Sequence, residues 1–274
     1  REIQMTERNT SNVRKKTNAV WERVRTDLKQ IAWKDPIVMI LCAILVFLTF
    51  GSAFGACTGT LKNAVTVELD AAYGGGDTGY QGLVNEADVT ENIVNDLEAL
   101  LKKDRRFKVL RSHEAGTAAT VAERAEKINK DNPMFVLSVH ADGSPNAELS
   151  GMHIYAEIPS EKYHEASLRL AQAVAGTFKS NDWSVDTGYL YYQPYEETGN
   201  YELKFVTSDD LTDYKLDTFA LMKQCDMPVV VTNQFYVNNQ ADVDKWANEA
   251  GYQQAAQDLY DALCDYNGFE RKNG

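Results

Sequence analysis

The chain has 274 residues, 44% of them hydrophobic, and a formal net charge of -12. That length holds one large domain or two modest ones, with enough apolar content for a sizeable core. The charge is uneven: residues 1–35 carry nine Lys/Arg against five Asp/Glu, leaving 19 basic and 35 acidic residues in the remainder. So acidic a remainder repels nucleic acid and anionic lipid head groups at long range and excludes them as its partners.

Residues 1–35 read as a basic amphipathic arm. Val20, Trp21, Val24, Leu28 and Ile31 recur at helical spacing, with Arg14, Lys15, Lys16, Arg23, Arg25 and Lys29 interspersed, a pattern suited to the inner membrane leaflet or to a docking partner. Residues 36–57 read as a transmembrane helix. The twenty residues from Ile37 to Ala56 carry no charge, and a helix rising ~1.5 Å per residue covers the ~30 Å hydrocarbon layer with that length. Asp35 and Pro36 suit its start, and the basic excess before it predicts a cytoplasmic N-terminus and an outward C-terminal domain. A cleaved signal is the rival reading, since Phe54-Gly55-Ala56-Cys57 is similar to a lipoprotein cleavage box. The 35-residue polar arm is too long for an ordinary signal, so an uncleaved anchor is favoured.

A linker at 58–63 precedes a domain at 64–268 and a tail at 269–274. Within the domain, strand and helix patterns alternate. Strands are expected at Ala64–Leu69, Phe107–Leu110, Phe135–Val139, Met152–Ala156 and Val229–Thr232. Helices are expected at about 86–103, Val121–Ile128, Leu168–Phe178, Asp217–Lys223 and about 242–266. The alternation predicts an α/β three-layer sandwich, a mixed and mostly parallel sheet with helices on both faces. Asp182 to Thr207 reads as an aromatic loop bearing Tyr189, Tyr191, Tyr192, Tyr195 and Tyr201, either stacking on sugar or packed onto the domain. The four cysteines lack CxxC spacing, which excludes a zinc knuckle; a Cys225–Cys264 bridge would need an oxidising compartment.

Functional groups in such folds gather where strands end. Asp70-Ala-Ala-Tyr-Gly-Gly-Gly-Asp77-Thr-Gly79 follows the first strand and Glu86 opens the first helix. Ser138-Val-His-Ala-Asp142 closes the third strand, and Asn233 ends Pro228-Val-Val-Val-Thr. These segments, with Glu123-Arg-Ala-Glu-Lys-Ile-Asn129, Gly151-Met-His-Ile-Tyr and Pro228 through Asn239 to Asp242, resemble zinc-dependent N-acetylmuramoyl-L-alanine amidases. Six segments in order, from about residue 64 to 266, carry the resemblance.

The resemblance implies cleavage of the bond between the glycan lactyl group and the first L-Ala of the peptidoglycan stem peptide. It places zinc ligands at Tyr73, Glu86 and His140 and the catalytic carboxylate at Asn233; Asp77, Asp142, Tyr191 and Tyr192 are candidate substrate contacts. Such zinc has three protein ligands and an open position for water. Here Tyr73 stands where the family has His, Asn233 where it has Glu, and Asp142 where it usually has Asn. A tyrosine with a pKa near 10 ionises at a cost, and an asparagine amide cannot serve as general base. His113 and His153 are candidate replacement ligands; otherwise His113 and His164 read as solvated and His153 as packed or exposed.

The expectation is a membrane-anchored family member facing the cell wall, impaired or inactive, that binds peptidoglycan or another envelope protein. An active amidase with an unconventional zinc site, and a structural subunit of a membrane-embedded envelope assembly, stand as alternatives.

Overall fold

The computed structural model describes residues 64–194, 201–214 and 217–271, together with Glu22. The expected arm, transmembrane helix and linker, with Cys42 and Cys57, lie outside the described residues. So does Tyr195. Among the described residues no helix is long and apolar enough to cross a membrane.

Seven strands form one sheet in the order β2-β1-β3-β7-β4-β5-β6. They are β1 (Val65–Ala71), β2 (Phe107–Arg111), β3 (Phe135–Asp142), β4 (Met152–Ala156), β5 (Val185–Pro194), β6 (Tyr201–Thr207) and β7 (Val229–Tyr236). Pairs β1–β2, β1–β3, β3–β7 and β4–β5 are parallel. Pairs β7–β4 and β5–β6 are antiparallel. The expected mixed, mostly parallel sheet is observed.

Side-chain alternation assigns the two faces. Val67, Leu69, Phe135, Leu137 and Val139 point into one core beneath three long helices, α1 (Glu86–Lys103), α3 (His164–Ser180) and α6 (Glu249–Tyr266). The opposite face is only partly covered, by α2 (Val121–Asp131) and α4 (Ala220–Gln224), which bury Ala125, Ile128, Leu221 and Met222 against Val136, Val229 and Val231. Helices therefore occupy both faces, unequally, and the uncovered part of the second face is the cleft.

Local chemistry explains the helix ends. In α2, Thr120 Oγ1 accepts from Glu123 N and Glu123 Oε2 accepts from Thr120 N, a reciprocal capping box. In α1, Glu86 and Asp88 open the helix and Lys102 and Lys103 close it, matching the peptide dipole. Asn129 fixes the far end of α2, donating to Gln224 O and accepting from Asp226 N.

Two expectations need correction, and one open possibility closes. The closing helix is two, α5 (Gln240–Trp246) and α6, because Asn248 caps a new start by accepting from Gly251 N and Gly251 packs against the Trp246 carbonyl. The aromatic stretch is not a loop but the β5–β6 hairpin, whose strands pair from Gly188↔Thr207 to Pro194↔Tyr201. Cys225 and Cys264 are free and buried.

Candidate active-site cleft

The site forms where β1, β3 and β7 end. Asp70, near the end of β1, is fully buried and accepts from Ser112 Oγ at 2.5 Å, Ser138 Oγ at 2.6 Å and Arg124 Nη1 at 2.6 Å. Burial pushes the Asp70 carboxyl up, but the Arg124 charge and these hydrogen bonds outweigh it and hold the group below the usual carboxylate range. Asp70 is thus committed as an anchor and takes no part as a base.

Beyond that anchor the chain turns sharply through Tyr73 at φ 66°, a left-handed conformation uncommon for a bulky residue. His113 Nε2 lies 3.3 Å from the Tyr73 carbonyl and its Nδ1 2.9 Å from Ser112 Oγ. His113 therefore supports the turn backbone. Gly79, at φ 63°, is required: a Cβ there would stand 2.6 Å from the Tyr73 ring and 2.8 Å from Glu86 Oε2.

Glu86 is buried at the first position of α1, and both its oxygens are engaged. Oε2 accepts from Tyr80 N at 3.0 Å; Oε1 accepts from Ala141 N at 3.2 Å and lies 3.1 Å from His140 Nδ1. The Tyr73 ring meets His140 edge-on with centroids 5.8 Å apart. Burial, then the negative charges of Glu86 and Asp77, push the Tyr73 phenol above its ordinary value. The side chains of Tyr73, Glu86 and His140 lie together here.

Strand register lines up the rest. His140 on β3, Asn233 on β7, His153 on β4 and Asp186 on β5 are successive partners across four strands. A register shift after His140 brings Asp142 over this row. Asp142 Oδ1 accepts from Asn233 Nδ2 at 2.5 Å, and Oδ2 lies 2.6 Å from His153 Nδ1. Asp186 is 3.9 Å from His153 Nε2. The hydrogen bond to Asp142 raises the His153 pKa against its burial, with the Asp142 and Asp186 charges adding to the rise.

The cleft lined by Glu86, His140, Asp142 and Asn233 has a volume of about 710 Å³. Asp77, Asp142 and Tyr192 line it. Tyr191 does not. It is buried, stacked on Tyr214 at 4.2 Å on the opposite face of β5. Tyr189 is also buried, beside His164. His164 is not solvated: it is buried with Nδ1 2.8 Å from the Glu157 carbonyl.

Tyr155, Leu190, Leu203 and Phe219 form an apolar wall opposite the polar groups. Sequence reading missed this wall and the partnership of His153 with Asp142. The available signal was alternation: His153 lies two residues after Gly151 and two before Tyr155, so it shares a face with Tyr155.

The model for the N-acetylmuramoyl-L-alanine amidase family matches residues 67–265. The chain belongs to the N-acetylmuramoyl-L-alanine amidase family. It is 23% identical to the amidase AmiC of Escherichia coli over 220 residues, 74% of this chain and 52% of that protein. It is 25% identical to a putative amidase of Buchnera aphidicola over 131 residues, 44% of this chain and 55% of that one. The chain thus spans about half the length of these relatives. An amidase structure from Clostridium difficile 630 superposes with a TM-score of 0.60 at 20% identity, covering 75% of this chain and 98% of that one. The CwlD amidase of Clostridioides difficile, solved with the GerS lipoprotein, gives 0.57 at 17% identity, covering 74% and 98%. These similarities agree with the mixed sheet and its helices. Family members are generally zinc-dependent, while among the described residues no three His, Cys, Asp or Glu side chains converge to hold a metal.

Proposed function

We propose that this protein is a membrane-anchored, wall-facing member of the amidase family whose cleft binds peptidoglycan without hydrolysing it. The observation that carries this reading is Asn233. At the position of the family's catalytic carboxylate stands an amide whose Nδ2 is donated to Asp142. Such a group has no proton-accepting form near neutral pH, and loss of a general base costs ~10²–10⁴-fold in rate.

The donor set points the same way. A zinc centre of this class needs three donors free to face the ion. Glu86 spends both oxygens on Tyr80 N, Ala141 N and His140, and Tyr73 is held further from ionisation by burial. The residues present do not fit that zinc centre. Anchorage rests on the uncharged run Ile37–Ala56 and the basic arm before it, which together support an acidic domain facing the wall.

The test uses full-length protein in detergent. The expected result is substoichiometric zinc, no stem peptide released from purified sacculi, and co-sedimentation with them. Stoichiometric zinc with peptide release would establish the active alternative. Loss of sacculus binding, with a stably co-purifying envelope protein, would establish the structural-subunit alternative.

A further inference from the structure

Three strands meet at Asp142. It belongs to β3, accepts from Asn233 on β7 and pairs with His153 on β4. The β7–β4 seam is where the sheet reverses polarity, and it lies along the cleft floor. We infer that Asp142, Asn233 and His153 form one clasp that holds the cleft in binding form without a metal, and that Asp142 is what requires an amide at position 233.

The geometry explains the requirement. Asn233 Nδ2 lies 2.5 Å from Asp142 Oδ1. A carboxylate at 233 would set two acceptors at that separation, and like charges so close cannot both ionise. The asparagine is therefore matched to its neighbour rather than being a bare loss of the base. His153 completes the clasp: its Nδ1 takes the second Asp142 oxygen, while Tyr155 stacks on the ring and Phe205 and Tyr236 meet it edge-on. The titratable groups facing it are Asp142 on β3, Asp186 on β5, Tyr236 on β7 and, on its own strand, Tyr155. The Tyr236 hydroxyl is pushed up to about 12 and that of Tyr155 higher still, mainly by burial, so both are neutral and Asp142 and Asp186 are the charges His153 answers. This inference rests on the proposed function in one respect, that the ligand of the clasped cleft is peptidoglycan.

An exchange of partners tests it in the full-length chain, with EDTA present throughout. Asn233→Asp should lower the melting temperature by several degrees at pH 8 and weaken sacculus binding at least tenfold. The swap Asp142→Asn/Asn233→Asp rebuilds the clasp reversed: the new amide donates to residue 233 and its oxygen accepts from His153. It should recover most of the melting temperature and binding. Imidazole ¹⁵N titration should show the His153 pKa raised in the natural chain and lowered in the swap, where its carboxylate partner is gone. Equal stability of Asn233→Asp and the natural chain, no recovery in the swap, or a His153 pKa indifferent to Asp142→Asn would each overturn the clasp. Failure of the natural chain to bind sacculi would instead overturn the proposed function, leaving the melting and titration arms to decide the clasp.

Discussion

Arg124 Nη1 stands 2.6 Å from Asp70 Oδ2, and this buried ion pair ties α2 to the sheet just before the Tyr73 turn. Removing one partner strands the other charge in the interior, which costs ~3–5 kcal/mol. Arg124→Met should destabilise the domain by about that amount in urea unfolding at pH 7. The Asp70 carboxyl is held below its usual range, so its contribution is complete above about pH 4 and is lost as pH falls through the folded value. Asp70→Asn should flatten the acid limb of the stability curve.

Glu68, on the same strand and face, behaves oppositely. It is fully buried, neither oxygen has a hydrogen-bond partner, and Lys127 Nζ approaches only to 3.7 Å. Burial raises its pKa from 4.5 to about 7, against the pull of Lys127. The folded state therefore prefers the protonated acid, and stability should fall as pH rises from about 4.5 to about 7. Glu68→Gln should gain ~1–3 kcal/mol at pH 8 and little at pH 4.5, read by chemical unfolding at both. Glu157 shares the shift, also rising to about 7 by burial, so part of the slope should survive in the variant.

Gly143 supports the cleft rim by having no side chain. A Cβ there would lie 2.1 Å from the Tyr80 ring, and the Tyr80 amide is a donor to Glu86. Gly143→Ala should cost ~1–3 kcal/mol through overpacking. Adding Tyr80→Ala should return part of that loss, a non-additivity measurable in a thermal double-mutant cycle.

The Tyr73→His variant tests the metal argument from the other side. Histidine tolerates the left-handed turn better than tyrosine and supplies a neutral nitrogen donor beside Glu86 and His140. Dialysis against zinc, followed by metal analysis, should show more retained zinc than in the natural chain.

Much of the architecture was legible in the residues. The apolar stripe Val89, Ile93, Val94, Leu97 and Leu101 fixed α1, and the apolar starts Phe135–Leu137 of β3 and Val229–Val231 of β7 marked central strands. The grouping of Tyr73, Glu86 and His140 came through the family resemblance, and their places at a strand end or helix start agreed with it. The β5–β6 hairpin was not. Its tyrosines obscure the alternation, since Tyr189 and Tyr191 are buried while Leu190 and Tyr192 line the cleft; aromatic groups on both faces leave no period-two contrast. The pairing of His153 with Asp142 escaped for a topological reason. The rule that sites gather at strand C-termini holds for the parallel half of the sheet, whereas β4 runs the other way and presents its second residue.

That polarity reversal has an evolutionary reading. One bank of the cleft is written by the ends of β1, β3 and β7, the other by Tyr155 of β4 and by the hairpin behind it. The first bank is tied to α1 and α2 by the buried Glu86 and Asp70 carboxyls, so its backbone is held even where Tyr73, Asp142 and Asn233 depart from the family pattern. The second hangs on side chains that can be exchanged without disturbing those anchors. New binding preferences would accordingly arise along β4, β5 and β6, while the anchored bank preserves the family outline.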